Sequence, residues 1–163
     1  GAAGAGKSTR LKLLYGEERP VQGNISVNGQ EVTQLQGNKL AFFRRSVGII
    51  FQDYKLLPRR TVAENISFVL MARGCPPSEI QRRLVPTLKL VGLLEKADRF
   101  PAQLSGGEQQ RVSIARAIVG TPPLILADEP TGNLDGENAR QIMGILERLH
   151  QFGATVIVTT HDE

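Results

Sequence analysis

The chain has 163 residues, 40% apolar and 22% charged, which is the make-up of one globular domain with a fair-sized core. No apolar run approaches the roughly 20 residues that a membrane helix needs, and the single cysteine, Cys75, excludes an internal disulfide. The net charge of +4 includes the scattered pairs Arg44-Arg45, Arg59-Arg60 and Arg82-Arg83, without interleaved aromatic residues; this reads as solvated surface and argues against direct nucleic-acid binding.

The opening "GAAGAGKSTR" is a glycine-rich loop that runs into a short helix, which Gly16 stops. In "GNISVNGQEV", Ile25 and Val27 alternate with polar residues and Asn28-Gly29 marks a hairpin turn. "SVGIIF" (46–51) is short and apolar enough for a buried strand. Thr61, with Glu64 three residues on, predicts a capping box for a helix carrying Ile66, Val69, Leu70 and Arg73. A second helical stripe runs through Ile80, Leu84, Leu88 and Val91, and Pro86 is expected to kink or interrupt it. Val112, Ala115 and Ile118 share one face of a further helix, as do Ile142, Ile145, Leu146 and Leu149 of another that ends near Gly153. "LILAD" (124–128) and "TVIVTT" (155–160) are strand candidates. The pattern predicts one α/β domain: a hairpin-like first third, a helical insertion at about 60–105, and a core sheet that is mainly parallel.

Three stretches carry chemistry. Gly1, Gly4 and Gly6, followed by Lys7, Ser8 and Thr9, spell the G-x-x-x-x-G-K-[ST] loop. Its backbone N–H groups wrap nucleotide phosphates at the positive end of a helix, Lys7 neutralises phosphate charge, and the Ser8 hydroxyl can ligate Mg²⁺. In "LILADEP", a buried strand delivers Asp128 to its C-terminal edge as a second Mg²⁺ contact. Glu129, one residue later, is placed to polarise an attacking water. In "LSGGEQQR", Ser105, Gly106, Gly107 and Glu108 open a helix and form a second anion cradle. Two chains set head to tail would each lend this cradle to the other's nucleotide. The same four residues also read as an ordinary capped helix whose glycines permit close packing.

With "NLD" (133–135) and "TTHD" (159–162) in the same order, the chain resembles the ATP-binding cassette (ABC) ATPases over essentially its whole length. The resemblance implies a phosphate-loop fold with a core sheet, an antiparallel β part and a helical subdomain, and an Mg²⁺-dependent ATPase. It places Gln52 of "IIFQD" in the Mg²⁺ shell and the catalytic set, His161 at the γ-phosphate, and Asp135 in contact across a homodimer with ATP between the subunits. The family has a strand and an adenine-stacking aromatic before the phosphate loop and further elements after the histidine, so the chain is expected to be a piece trimmed at both ends. "LLYGEERPVQGNISVNGQ", "FFRRSVGIIFQDYKLLPRRTVAENI" and "KADRFPAQLSGGEQQRVSIARAIV" resemble the cell-division members of the family, whose integral membrane, permease-like partner holds them at the cytoplasmic face of the bacterial inner membrane. In such members the segment 53–60 lies beside the groove that receives the membrane partner. A lipoprotein-release or macrolide-export ATPase is the alternative. The short interval from Asp53 to Gln103 weighs against chromosome-maintenance members with their long insertions. The presence of Lys7, Glu129 and His161 weighs against a module that binds nucleotide without turnover.

Overall fold

The computed structural model describes residues 6–160; Gly1, Gly4 and His161, named above as site residues, lie outside them. The glycine loop leads into α1 (Lys7–Leu14), capped at Tyr15 and ended by Gly16 at φ 75°. The Asn28-Gly29 turn joins β1 (Ser26–Val27) to β2 (Gln30–Glu31) as an antiparallel pair. Both turn residues take positive φ, 51° and 76°, the geometry that matches the twist of a hairpin. Between this pair and β3 (Val47–Ile50) lies α2 (Gly37–Arg45), a helix the sequence reading missed. Its one buried side chain is Phe43, so it shows no apolar stripe to detect.

Two helices follow. α3 (Val62–Ala72) begins with the expected capping box: Glu64 N–H donates to Thr61 Oγ1 at 3.2 Å and Thr61 N–H to Glu64 Oε2 at 2.8 Å. Val62, Ile66 and Leu70, one turn apart, are fully buried. α4 (Pro77–Leu90) runs through Pro86 as one helix, so of the kink or interruption expected there the interruption does not occur. A proline removes only one ladder N–H, and the Thr87 hydroxyl donates to Arg83 O at 2.8 Å beside it. Leu84 and Leu88, buried on either side of the proline, hold both halves to the core.

α5 (Gly106–Ile118), β4 (Leu124–Asp128), α6 (Gly136–Gln151) and β5 (Thr155–Thr159) complete the described chain. The last strand is one residue shorter than predicted. β3, β4 and β5 form a parallel sheet in that order, Val47 opposite Leu124 and Leu124 opposite Thr155. Alternate residues of β4 enter two different cores. Leu124 and Leu126 pack with Leu11, Tyr15, Val27, Val32 and Phe43, while Ile125 and Ala127 pack with the buried faces of α3 to α6. Strands buried on both faces explain why "LILA" reads as an unbroken apolar run. The architecture is the expected one: a parallel core sheet, a small antiparallel part and a largely helical middle.

Candidate functional site

The C-terminal ends of β4 and β5 and the N-terminus of α1 meet at one edge of the sheet, where parallel α/β folds place their ligands. Gly6, at φ 74°, caps α1 in a left-handed conformation that glycine adopts without strain. The turn aims the first N–H groups of α1 out of the loop, as an anion cradle requires. From the first turn of α1, Ser8 Oγ donates to Asp128 Oδ1 at 3.0 Å. The same carboxylate oxygen accepts from Thr159 Oγ1 at 2.6 Å. Lys7 Nζ donates to the carbonyl of Thr160 at 2.7 Å, which puts its charge at the end of β5. Thr9 lies in the same first turn.

Glu129 follows directly and is held by its backbone. Its N–H donates to Thr159 O at 3.0 Å, and its carbonyl accepts from Gly132 N–H at 3.1 Å. Its φ of 47° is left-handed, a conformation that costs a non-glycine residue about 1–2 kcal/mol. The turn is locked from beneath by Gln110 of α5, wholly buried, whose Nε2 donates to Pro130 O at 2.7 Å. The left-handed backbone at this strand end is fixed on both sides by hydrogen bonds.

Gln52 follows β3. The Asn133 side chain holds it by two bonds of 3.4 Å: Gln52 Nε2 donates to Asn133 Oδ1, and Asn133 Nδ2 donates to the main-chain carbonyl of Gln52. Ser8, Gln52, Asp128 and Asn133 line one cavity of about 350 Å³. The structure therefore brings the three residues expected around a metal into one space. A larger cavity of about 760 Å³ opens among Pro86, Leu90, Pro123 and Phe152, at the other end of the strands, and none of the motif residues lines it.

The second cradle stands apart from the first. Ser105 caps α5, Oγ accepting from Glu108 N–H at 3.2 Å while Glu108 Oε2 accepts from Ser105 N–H at 3.0 Å. Glu108 also pairs with Lys96, and that bond chiefly lowers its carboxyl below the ordinary value. The N–H groups of Gly106 and Gly107, in the first turn of α5, have no acceptor within the helix. Ser105 and Gly106 are exposed, whereas Gly107 is buried against Asn138. A Cβ on Gly107 would lie 2.1 Å from Asn138 Oδ1, so the close-packing reading holds for this glycine. Asp135 caps α6, accepting from Asn138 N–H at 2.9 Å and from Asn138 Nδ2. Those bonds lower its carboxyl below the ordinary value. Gly107, Asn138 and Asp135 thus form one packed unit between the first turns of α5 and α6.

A family model described as ABC transporter matches residues 1–132. The chain belongs to the ABC ATPases. It is 48% identical over its whole length to the cell division ATP-binding protein FtsE of Bacillus subtilis, covering 72% of that protein. It is 50% identical over 162 residues to FtsE of Escherichia coli K12, covering 99% of this chain and 73% of that one. The ATP-binding cassette MJ0796, solved as a dimer in a post-hydrolysis state bound to ADP and Pi, superposes with a TM-score of 0.87 at 37% identity, over 98% of this chain and 72% of the other.

In this ABC ATPase the donor set suits the implied metal. A serine hydroxyl, a carboxylate and an amide oxygen are the hard ligands Mg²⁺ takes, and an ion bound chiefly through phosphate and water needs only one or two from the protein. Consistently, among the described residues no three acidic, histidine or cysteine side chains gather into a metal cage. Sequence reasoning missed Thr159, Gln110, Asn133 and Asn138, which hold Asp128, the Glu129 turn, Gln52 and Asp135. Each is a polar residue inside or beside a motif; the fold reveals the partners of Thr159, Gln110 and Asn133, whereas Asn138 lies three residues from Asp135.

Proposed function

We propose that this ABC ATPase is the ATP-hydrolysing subunit of a bacterial cell-division complex. Two copies close over ATP, and an integral membrane partner of the FtsX kind is gripped at the cytoplasmic face of the inner membrane. The observation that carries the hydrolytic reading is the meeting of Ser8, Asp128 and Glu129 at one sheet edge, with Asp128 bonded to both α1 and β5. Relatives named for cell division, 48–50% identical, favour that role over an export one.

In the mechanism, the α1 N-terminus and Lys7 bind the phosphates, and Ser8, Asp128 and Gln52 would hold Mg²⁺, which would neutralise phosphate charge. Glu129 orients the attacking water and accepts its proton at a carboxylate oxygen. His161 contacts the γ-phosphate, with Gly1 and Gly4 completing the loop. Ser105, Gly106 and Gly107 of the second subunit donate to the same phosphates from the opposite side. Asp135 and Asn138 tie that cradle to the facing edge of its own subunit. Tyr54, Leu56 and Leu57, just after Gln52, line the partner groove.

Glu129→Gln tests this. The amide keeps the size but cannot take the proton, so phosphate release should fall about 10²-fold or more. ATP binding should survive, and size-exclusion chromatography should show a dimer that forms only with MgATP. Parental turnover in this variant would remove Glu129 from the chemistry.

A further inference from the structure

Residues 53–57 lie between Gln52 and α3 and take an unusual path. Tyr54 and Lys55 both adopt left-handed φ, 59° and 49°. Two such non-glycine residues in succession need outside support. It comes from the C-terminal end of α5. Arg116 of α5 donates Nη2 to Tyr54 O at 2.7 Å and Nη1 to Lys55 O at 2.6 Å, both arms of the guanidinium on consecutive carbonyls. Arg116 is half-buried and has no carboxylate in a salt bridge among the described residues. At the other end of the same helix, a Cβ on Gly106 would lie 3.4 Å from Tyr54 Oη. Tyr54 therefore meets α5 at both ends, its carbonyl bonded to Arg116 and its hydroxyl lying close beside Gly106. Beyond it, Leu57 is bonded on both its N–H and carbonyl to the buried side chain of Asn65 in α3.

From this we infer that Arg116 and Tyr54 form a clamp that makes the segment after Gln52 and the Ser105–Gly107 cradle one mechanical unit. Both are positioning residues. A shift of residues 53–57 cannot occur without either breaking two hydrogen bonds to α5 or carrying the start of α5 along. The segment behind the metal-binding glutamine of one active site is thereby tied to the cradle that the same subunit offers to the other active site. The inference rests on the dimeric reading above, and extends it by naming the side chains that join the two half-sites.

The test uses the intact protein carrying Glu129→Gln, with two readouts: binding of a fluorescent ATP analogue at subunit concentrations too low for pairing, and ATP-driven dimerisation by analytical ultracentrifugation. Arg116→Ala should leave monomer binding unchanged, because it touches none of Lys7, Ser8 or Asp128. It should raise the dimer dissociation constant about 10-fold. Tyr54→Ala, in which the helix keeps its guanidinium, should weaken dimerisation likewise, and the two changes together should cost little more than either alone. Arg116→Lys should recover part of the loss. Parental dimerisation in both Arg116→Ala and Tyr54→Ala would overturn the clamp. So would an equal loss in Ile142→Val, a core change remote from the clamp, matched for thermal stability. Failure of the Glu129→Gln parent itself to dimerise with ATP would overturn the dimeric reading and the clamp with it.

Discussion

Replacing Gly107 with alanine asks whether the second cradle is fixed by packing as well as by its cap. The added methyl would stand 2.1 Å from Asn138 Oδ1, 2.4 Å from its Cγ and 3.1 Å from its Cβ. The backbone of Gly107 is helical, so the strain is steric and not conformational. The Asn138 side chain can swing aside only by breaking its Nδ2 bonds to Asp135, whereas the cap through its backbone N–H is kept. Overpacking costs about 1–3 kcal/mol, and loss of the Asn138 Nδ2 bonds to Asp135 about 0.5–1.5 kcal/mol. Alanine returns about 0.5–1 kcal/mol of helix propensity relative to glycine. The net loss is about 2 kcal/mol, or about 4–8 °C in Tm for a chain of this size. Gly106 is the control in the same turn. Its added methyl meets nothing closer than 3.4 Å, so Gly106→Ala should leave Tm unchanged or raise it. Thermal unfolding by circular dichroism reads both, and Asn138→Ala added to Gly107→Ala should recover most of the loss. Equal melting temperatures for the two alanine variants would refute the packing argument.

Glu129→Gly should raise stability while abolishing turnover. Relief of the left-handed strain, about 1–2 kcal/mol, exceeds the extra chain entropy of glycine, about 0.5–1 kcal/mol, and a Tm at or below the parent's would show that Glu129 is not strained. The lowered Glu108 carboxyl gives a pH dependence of definite sign. Its contribution to folding is fully present above the ordinary carboxyl value of 4.5 and is lost as the pH falls through the lower folded value. The Tm difference between parent and Glu108→Gln should therefore shrink on acidification from about pH 6 to about pH 3. A difference that stays constant or widens would contradict the assignment of Glu108 to the cap and to Lys96.

Periodicity and punctuation made much of this fold legible. Thr61 and Glu64 announced α3, Asn28-Gly29 announced the hairpin, and the unbroken "LILA" announced a strand buried on both faces. α2 escaped because a helix that buries one side chain leaves no stripe. Pro86 misled because the rule against proline inside a helix counts the lost bond and the clash but not the leucines that hold both halves down. At the site, glycine, lysine and carboxylate spacings pointed to Ser8, Asp128 and Glu129 because each must be that residue type for its chemistry. Thr159, Gln110 and Arg116 were illegible for the opposite reason. They act by bonding backbone or carboxylate oxygens brought near only by folding, and nothing in their own neighbourhoods of sequence records the partner.

The order of the parallel sheet sets a problem for the chain as it is made. Among the described residues β3 pairs only with β4, Val47 to Ile50 finding their partners at Leu124 to Ala127, after three α-helices. At synthesis rates of about 5–20 residues per second, the apolar edge of β3 stands open for several seconds or more. Through that interval α3, α4 and α5 must assemble from local contacts, and α5 supplies the face against which β3 settles. The helical middle of the chain is therefore a shelter during biosynthesis, and variants that loosen Val62, Ile66 or Leu70 should raise the burden on chaperones before they lower the activity of the finished enzyme.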